Sequence, residues 1–335
     1  MRRCLTLAQK GLGYSYPNPM VGAVVVKDGK IIGEGWHKKA GTAHAEVNAL
    51  RHLSTKELAS ATLYVNLEPC AHHGKTPPCC DLVISKGIKK IVIGAMDPNP
   101  KVAGKGIQAM KNAGINITVG VLEEECIQLN KRFYCFHTKN RPYILLKWAQ
   151  TADGFIAPED DKKENVFWIS DKHSQQLAHR WRAEENAILV GRKTITQDNP
   201  KLTTRLWKGN HPIRLIIDPH DILSKNASVF NDEAETVVFN TKKNEHQNNI
   251  TWVKVNPEII LKNIMEFCVE KNIQSIIVEG GAKTITSFLK QNMWDECRIF
   301  ESKMELKKGV KAPNKPKGKA FSKTLVGDTL QIIQH

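Results

Sequence analysis

The segment from 41 to 80 constrains this chain more than any other. It contains Gly41-Thr42-Ala43-His44-Ala45-Glu46 and, further on, Glu68-Pro69-Cys70-Ala71-His72-His73-Gly74-Lys75-Thr76-Pro77-Pro78-Cys79-Cys80. One imidazole, two thiolates and a nearby carboxylate are the donors of a zinc site that keeps one coordination position open, as hydrolytic sites do and closed four-ligand structural sites do not. His44, Cys70 and Cys79 are the candidate ligands, with Glu46 the candidate catalytic proton carrier beside them. Any fold for this chain must bring residues 44, 70 and 79 to one point.

Two residues apart on a helix means roughly 200° of rotation, so His44 and Glu46 converge only at a helix start, where side chains lean toward the N-terminus. Gly41-Thr42 reads as that entrance, with Thr42 as the cap and the helix over 44–53. Pro77-Pro78 opens a second helix over 79–86, which puts Cys79 in a first turn, where free N–H groups and the dipole favour thiolate. Taken singly, these residues read as a core histidine, a surface glutamate and two buried thiols. Their ordered combination points to a metal.

The eight residues between Cys70 and Cys79 differ from the general deaminase signature, which has two. The longer form Pro-Cys-Ala-His-His-Gly-Lys-Thr-Pro-Pro-Cys resembles the riboflavin branch, the RibD family of bifunctional enzymes that join a pyrimidine deaminase to a reductase. It argues against a tRNA or cytidine deaminase. The resemblance covers nearly the whole chain and is weakest after about Glu301, where a lysine-rich, apolar-poor tail keeps only some of the family's look.

The resemblance implies an α/β protein, with an N-terminal three-layer α/β/α cytidine-deaminase-like domain over 1–139 and a dihydrofolate-reductase-like α/β domain over 140–335. It implies zinc and NADPH as cofactors. The reactions would be deamination of 2,5-diamino-6-(5-phosphoribosylamino)pyrimidin-4-one, then reduction of the ribosyl group to ribityl. By resemblance, Asn18, His37, His72, Lys75, Asp97 and Asn99 contact the deaminase substrate. Gln150, Trp168, Thr194, Asp198, Gly280 and Gly281 contact the cofactor, and Lys147, Arg182, Leu202, Arg205 and Glu279 the reductase substrate. Lys147 and Asp198 are also candidate proton donors or acceptors for the hydride step.

The pattern along the chain fits an alternating α/β reading. Helices are expected over 2–11, 104–113, 171–185, 257–272 and from about 283, and strands over 21–27, 31–36, 62–66, 89–95 and 117–121. Further strands are expected over 142–149, 187–191, 213–218, 236–240, 250–255 and 275–278. Asp28-Gly29 reads as a hairpin turn, 122–140 as a helix and linker, and 192–194 as a turn. The Gly280-Gly281 pair between strand and helix suits a phosphate at a helix N-terminus. A Gly-x-Gly-x-x-Gly fingerprint is absent, and Val190-Gly191-Arg192-Lys193-Thr194 is instead similar to dihydrofolate-reductase-like nucleotide sites.

A length of 335 residues suits two domains. The eight cysteines show no disulfide-scaffold spacing, which points to a reduced cytoplasm. No apolar run reaches membrane-spanning length. The formal net charge of +15 raises a nucleic-acid-binding module as an alternative. The scattered lysines lack the interleaved aromatics that single strands stack on, so no nucleic-acid partner is expected. A phosphorylated pyrimidine benefits from the same field. A homo-oligomer is expected, and a monofunctional deaminase is the nearer alternative.

Overall fold

In the computed structural model, Asp28 and Gly29 both take left-handed backbone, with φ of 49° and 73°, as a tight two-residue hairpin requires. They join strand β1 (Gly22–Lys27) to β2 (Lys30–Trp36), and helix α1 (Arg2–Ala8) buries Cys4 and Leu7 against Val24. The structure describes residues 1–71, 77–100, 102–159 and 167–335. The chain divides into two units, Met1–Asn140 and Arg141–His335.

The first unit continues with α2 (Ala45–Leu50), α3 (Thr55–Leu58), β3 (Thr62–Leu67), α4 (Cys79–Ser85), β4 (Lys90–Ala95), α5 (Lys105–Asn112), β5 (Asn116–Val119), α6 (Glu123–Leu129) and α7 (Lys131–Lys139). The strand order is β2-β1-β3-β4-β5. β1 runs antiparallel to both neighbours, whereas β3, β4 and β5 are parallel. One edge of the sheet therefore collects the start of β1 and the ends of β2, β3 and β4. Asn18, His37, Cys70 and Asp97 lie just outside those four strand ends.

α2 sits directly on the β2 backbone. A Cβ on Gly35 would lie 2.7 Å from the Ala45 carbonyl oxygen and 2.6 Å from the Ala49 nitrogen, so only glycine allows this approach. Thr42 is not the cap of α2: its Oγ1 donates to the Lys39 carbonyl, and His44 occupies the N-cap with extended backbone. The chain stays extended past Thr42, which leaves the His44 ring outside the helix and available to the site. The stretch 122–140, expected as one helix and a linker, forms the two helices α6 and α7.

The second unit contains β6 (Tyr143–Gln150), β7 (Phe155–Ala157), α8 (Lys172–Glu184), β8 (Ala187–Gly191), α9 (Arg192–Asp198), β9 (Ile213–Ile217), β10 (Thr236–Asn240), β11 (Glu245–Gln247) and β12 (Ile250–Lys254). It continues with α10 (Ile260–Glu270), β13 (Ser275–Val278), α11 (Ala282–Lys290), β14 (Glu296–Ser302), β15 (Val310–Lys311), β16 (Lys319–Thr324) and β17 (Asp328–Gln334). Among the described residues, ten strands form one sheet in the order β11-β12-β10-β9-β8-β13-β6-β14-β17-β16. β13, parallel to both β8 and β6, is inserted between strands that precede it in sequence. This places the carboxyl ends of β6, β13 and β8 side by side, the edge where open α/β sheets bind ligands.

Two segments differ from the sequence expectation. Residues 192–198 are a helix rather than a turn. The tail past Glu301 finishes the sheet, since β17 pairs along the whole of β14 and β16 pairs with β17. Every residue of β16 is exposed, so it lacks the apolar alternation that marks a strand in a sequence.

Gly35→Ala is expected to push α2 off β2 and to cost roughly 1–3 kcal/mol, as overpacking does. A lowered urea midpoint of the first unit checks this, and a variant as stable as the parent would contradict the close seating.

Candidate active sites

At the shared edge of the first sheet, β3 leads through Glu68-Pro69 to Cys70, while α2 begins immediately after His44 and α4 begins at Cys79. His44 Nδ1 lies 3.2 Å from Cys79 Sγ and 3.6 Å from Cys70 Sγ. All three donor atoms lie within 4.8 Å of one another. A tetrahedral zinc with ordinary bond lengths needs nitrogen–sulfur separations of about 3.5 Å, so the donors and their spacing fit zinc with one position left open.

The backbone N–H of Cys79, the first residue of α4, donates to Cys70 Sγ at 3.4 Å. A hydrogen bond from the Cys79 thiol, opposed by burial and aided by His44, draws Cys70 well below the usual thiol range, toward the thiolate form. That bond and burial keep the proton on Cys79, and a binding dication displaces such a proton. Glu46, 3 % exposed, sits in the first turn of α2. Burial first, then the Cys70 charge, raises its carboxyl above the ordinary range. It lies beside the three donors while its backbone is fixed by the helix, which suits a proton carrier.

Asn18 and His37 reach the same place. The two His37 ring nitrogens face different partners, Nδ1 the Ala43 carbonyl at 3.3 Å and Nε2 the Asn18 Nδ2 at 3.0 Å. A carbonyl only accepts, so Nδ1 carries the hydrogen and Nε2 accepts from Asn18. Burial lowers the His37 pKa and keeps the ring neutral. The His37 and His44 rings meet edge to face, 5.2 Å between centroids.

Asp97 and Asn99 follow β4, and Asn99 N donates to the Asp97 carboxylate at 2.7 Å. Burial, with Glu68 and Cys70 adding like charge, pushes Asp97 up to about 7. Their loop is held by a residue that motif reasoning missed. The Glu68 carboxylate is buried and accepts from the backbone nitrogens of Asp97, Gly104 and Ile107 at 3.3, 3.0 and 3.2 Å. The available signal was an acid ending the apolar run of β3. His72 and Lys75 lie outside the described residues.

In the second unit, a cavity of about 610 Å³ opens at the adjoining ends of β6, β13 and β8. All five residues expected for the reductase substrate line it, as do Trp168, Thr194, Asp198 and Gly281. Arg182 grips both oxygens of Glu279 at 2.8 and 2.7 Å, and Lys147 Nζ lies 3.7 Å from the same carboxylate. Burial opposes the Glu279 carboxylate, but Arg182 and Lys147 together overcome it and hold the group at about 2. Burial lowers the Lys147 pKa, and Glu279 partly restores it. Arg182 is thus engaged by an acid, whereas Arg205 is exposed.

Gln150 and Gly280 are not among the cavity walls. Gln150 accepts from Trp148 Nε1 and donates to Glu301, and Gly280 packs against Val190, where a Cβ would lie 2.5 Å from its Cα. His179 lines the cavity and was missed. Its position one turn before Arg182 on α8 was the signal.

Comparison with known proteins follows this division of the chain. The family described as "Cytidine and deoxycytidylate deaminase zinc-binding region" matches residues 1–95, and that described as "RibD C-terminal domain" matches residues 142–302. The riboflavin biosynthesis protein RibD of Aquifex aeolicus is 46% identical over 306 residues, covering 90% of this chain and 85% of that protein. The solved structure of a diaminohydroxyphosphoribosylaminopyrimidine deaminase/5-amino-6-(5-phosphoribosylamino)uracil reductase from Thermotoga maritima is 39% identical, with a TM-score of 0.90, covering 100% of this chain and 97% of that one. RibD of Acinetobacter baumannii is 32% identical at a TM-score of 0.90, with the same coverage of 100% and 97%. The fold is accordingly a cytidine-deaminase-like domain followed by a dihydrofolate-reductase-like one.

His44→Ala, Cys70→Ser and Cys79→Ser are each expected to lose zinc on dialysis, as measured by elemental analysis. Retention of stoichiometric metal by any of them would remove that residue from the ligand set. Glu279 supplies an acid-sensitive component of stability. Its folded pKa is depressed to about 2 from 4.5, so the contribution is complete above the ordinary carboxylate range and lost as pH falls toward 2. It amounts to on the order of 3 kcal/mol. Urea denaturation between these pH values should show the loss in the parent, and Glu279→Gln should be less stable at neutral pH and lack that acid-dependent segment.

Proposed function

The chain belongs to the RibD family of riboflavin-biosynthesis enzymes, with deaminase and reductase activities, and on that premise we propose how its own residues divide the work. Residues 1–139 form the deaminase domain, acting on 2,5-diamino-6-(5-phosphoribosylamino)pyrimidin-4-one. Residues 140–335 form the reductase domain, giving 5-amino-6-(5-phosphoribitylamino)uracil. The observation that carries the reading is the meeting of His44, Cys70 and Cys79 within 4.8 Å of one another, beside a buried carboxyl that is none of the three.

Zinc held by His44, Cys70 and Cys79 supplies a Lewis acid that makes water nucleophilic near neutral pH. Glu46 takes the first proton of that water to the ring nitrogen, then takes the second, from the hydroxyl now on the carbon, to the amino group, which leaves as ammonia as the carbonyl forms. Asn18 turns its amide nitrogen to the neutral His37, so its carbonyl oxygen faces the pyrimidine as an acceptor. Asp97 and Asn99, fixed by Glu68, form the neighbouring wall, and family membership adds His72 and Lys75 to the substrate contacts.

NADPH supplies the hydride in the second domain. Trp168, Thr194, Asp198 and Gly281 hold it along the cavity, with Gln150 and Gly280 shaping the layer behind. Glu279 fixes Arg182 and Lys147 toward the ribosyl group, while Leu202 and Arg205 take its phosphate end. Reduction at C1′ would break its bond to the ring oxygen and leave that oxygen needing a proton, which the Lys147 ammonium on the cavity wall would supply. Free cysteines throughout suit a reducing compartment, and we assign the enzyme to the cytoplasm as a homo-oligomer. Among the described residues, no helix is long and apolar enough to cross a membrane.

Incubation with the diaminopyrimidine phosphate is expected to release ammonia without NADPH, and NADPH absorbance to fall only once deamination has occurred. Glu46→Gln should slow ammonia release by roughly 10²–10⁴-fold, the span of general acid–base catalysis, while keeping its zinc. Loss of metal from that variant would count against the role assigned to Glu46.

A further inference from the structure

Leu202 and Arg205, assigned above to the reductase substrate, stand on a strained loop. Asn199 and Leu202 both hold left-handed backbone, with φ of 39° and 55°, although neither is glycine and the Leu202 side chain is buried. Such backbone persists only where neighbours over-determine it. The Thr203 carbonyl accepts from Arg182 Nη1 at 3.4 Å, Thr204 N donates to His211 Nδ1 at 3.2 Å, and Arg205 N donates to His179 Nδ1 at 3.0 Å. Two of these three holds come from one face of α8, where His179 and Arg182 are a turn apart.

The bond to Arg205 fixes the chemical state of His179. A backbone N–H only donates, so Nδ1 must offer its lone pair and the ring proton sits on Nε2. The ring is 5 % exposed. Burial, reinforced by the charges of Arg182 and Arg205, brings its pKa down to about 4, so it stays neutral at physiological pH. Protonation would set two donors against each other at Nδ1.

We propose that His179 is a positioning residue of the reductase, whose neutral ring accepts from the Arg205 N–H and so sets the strained loop with Leu202 and Arg205 turned to the ribosyl phosphate. The proposal rests on the assignment of those two residues to the substrate. His179 meets the loop through backbone, not through a side chain. It acts through the backbone of Arg205, and a change there shows in substrate binding before it shows in the hydride step.

The test compares His179→Asn, His179→Gln and His179→Ala in the full chain, with Arg205→Ala alongside. The asparagine oxygen falls near the Nδ1 position and keeps the acceptor, whereas the glutamine amide reaches toward Nε2 and does not. His179→Gln and His179→Ala should raise KM for 5-amino-6-(5-phosphoribosylamino)uracil about tenfold, the worth of roughly one net hydrogen bond, with kcat changed less. His179→Asn should stay near the parent. KM for NADPH and the rate of ammonia release should be unchanged in all three, which shows that both domains remain folded. If Arg205→Ala raises KM but His179→Gln and His179→Ala do not, or if His179→Asn is as impaired as His179→Ala, the positioning role is overturned. If Arg205→Ala itself leaves KM unchanged, the substrate assignment beneath the proposal fails.

Discussion

A buried carboxylate is costly unless its lone pairs are claimed by donors, and each half of this chain builds a wall of its site around one. In the first, Glu68 accepts from three backbone nitrogens on the far side of β4. In the second, Glu279 takes both arms of Arg182 and lies 3.7 Å from Lys147. Either acid would be a liability in isolation. Paired as they are, they convert the expense of burial into fixed geometry, because the donors cannot move without stranding a charge. The two acids differ in what they fix. Glu68 holds backbone and therefore the course of a loop, whereas Glu279 holds side-chain cations and therefore the electrostatics of a cavity.

The same contrast runs through the chemistry. The deaminase half gathers shifted titratable groups at one point: Cys70 drawn down by its bond from Cys79, Cys79 pushed up by the same bond and by burial, and a Glu46 carboxyl lifted by burial. Hydrolysis needs a proton moved twice, and that cluster suits the task. The reductase half instead keeps its charges locked, with Glu279 ionised well below neutrality and His179 neutral. Hydride transfer asks for a held cofactor, a stable field and a single proton, not one carried back and forth.

The meeting of His44, Cys70 and Cys79 was legible in the sequence because three donor residues with proline punctuation have few alternative explanations. The Asp28-Gly29 hairpin was legible because its turn chemistry is local. The cap of that helix was placed two residues early, at Thr42 instead of His44, because capping by Thr42 is also a local expectation, and the extended chain that overrides it depends on the seating of α2 over Gly35. Glu68 and His179 went unnoticed for a different reason: their partners are backbone groups from distant parts of the chain, and backbone carries no letter in a sequence. Strand β16 was invisible because it has no buried side and is defined by its pairing with β17. Lysines that read as a solvated tail are, at Lys319 and Lys323, the charges of an edge strand, which discourage sheet-to-sheet association.

The insertion of β13 between β8 and β6 has a consequence for how the protein is made. β6 is flanked by β13 and β14, both of which lie far downstream, so a newly synthesised β6 waits for more than a hundred residues (Tyr143 pairs with Ser275) before it has a partner on either side. The first unit faces no such delay, since all its strands come from Met1–Asn140. Domains tend to fold as they emerge, and distant pairings close slowly. On the ribosome, the half that binds zinc can therefore mature while the half that binds the nucleotide is still an open sheet with an exposed apolar strand, and the interval in which the chain needs protection from aggregation falls in the second half of its synthesis.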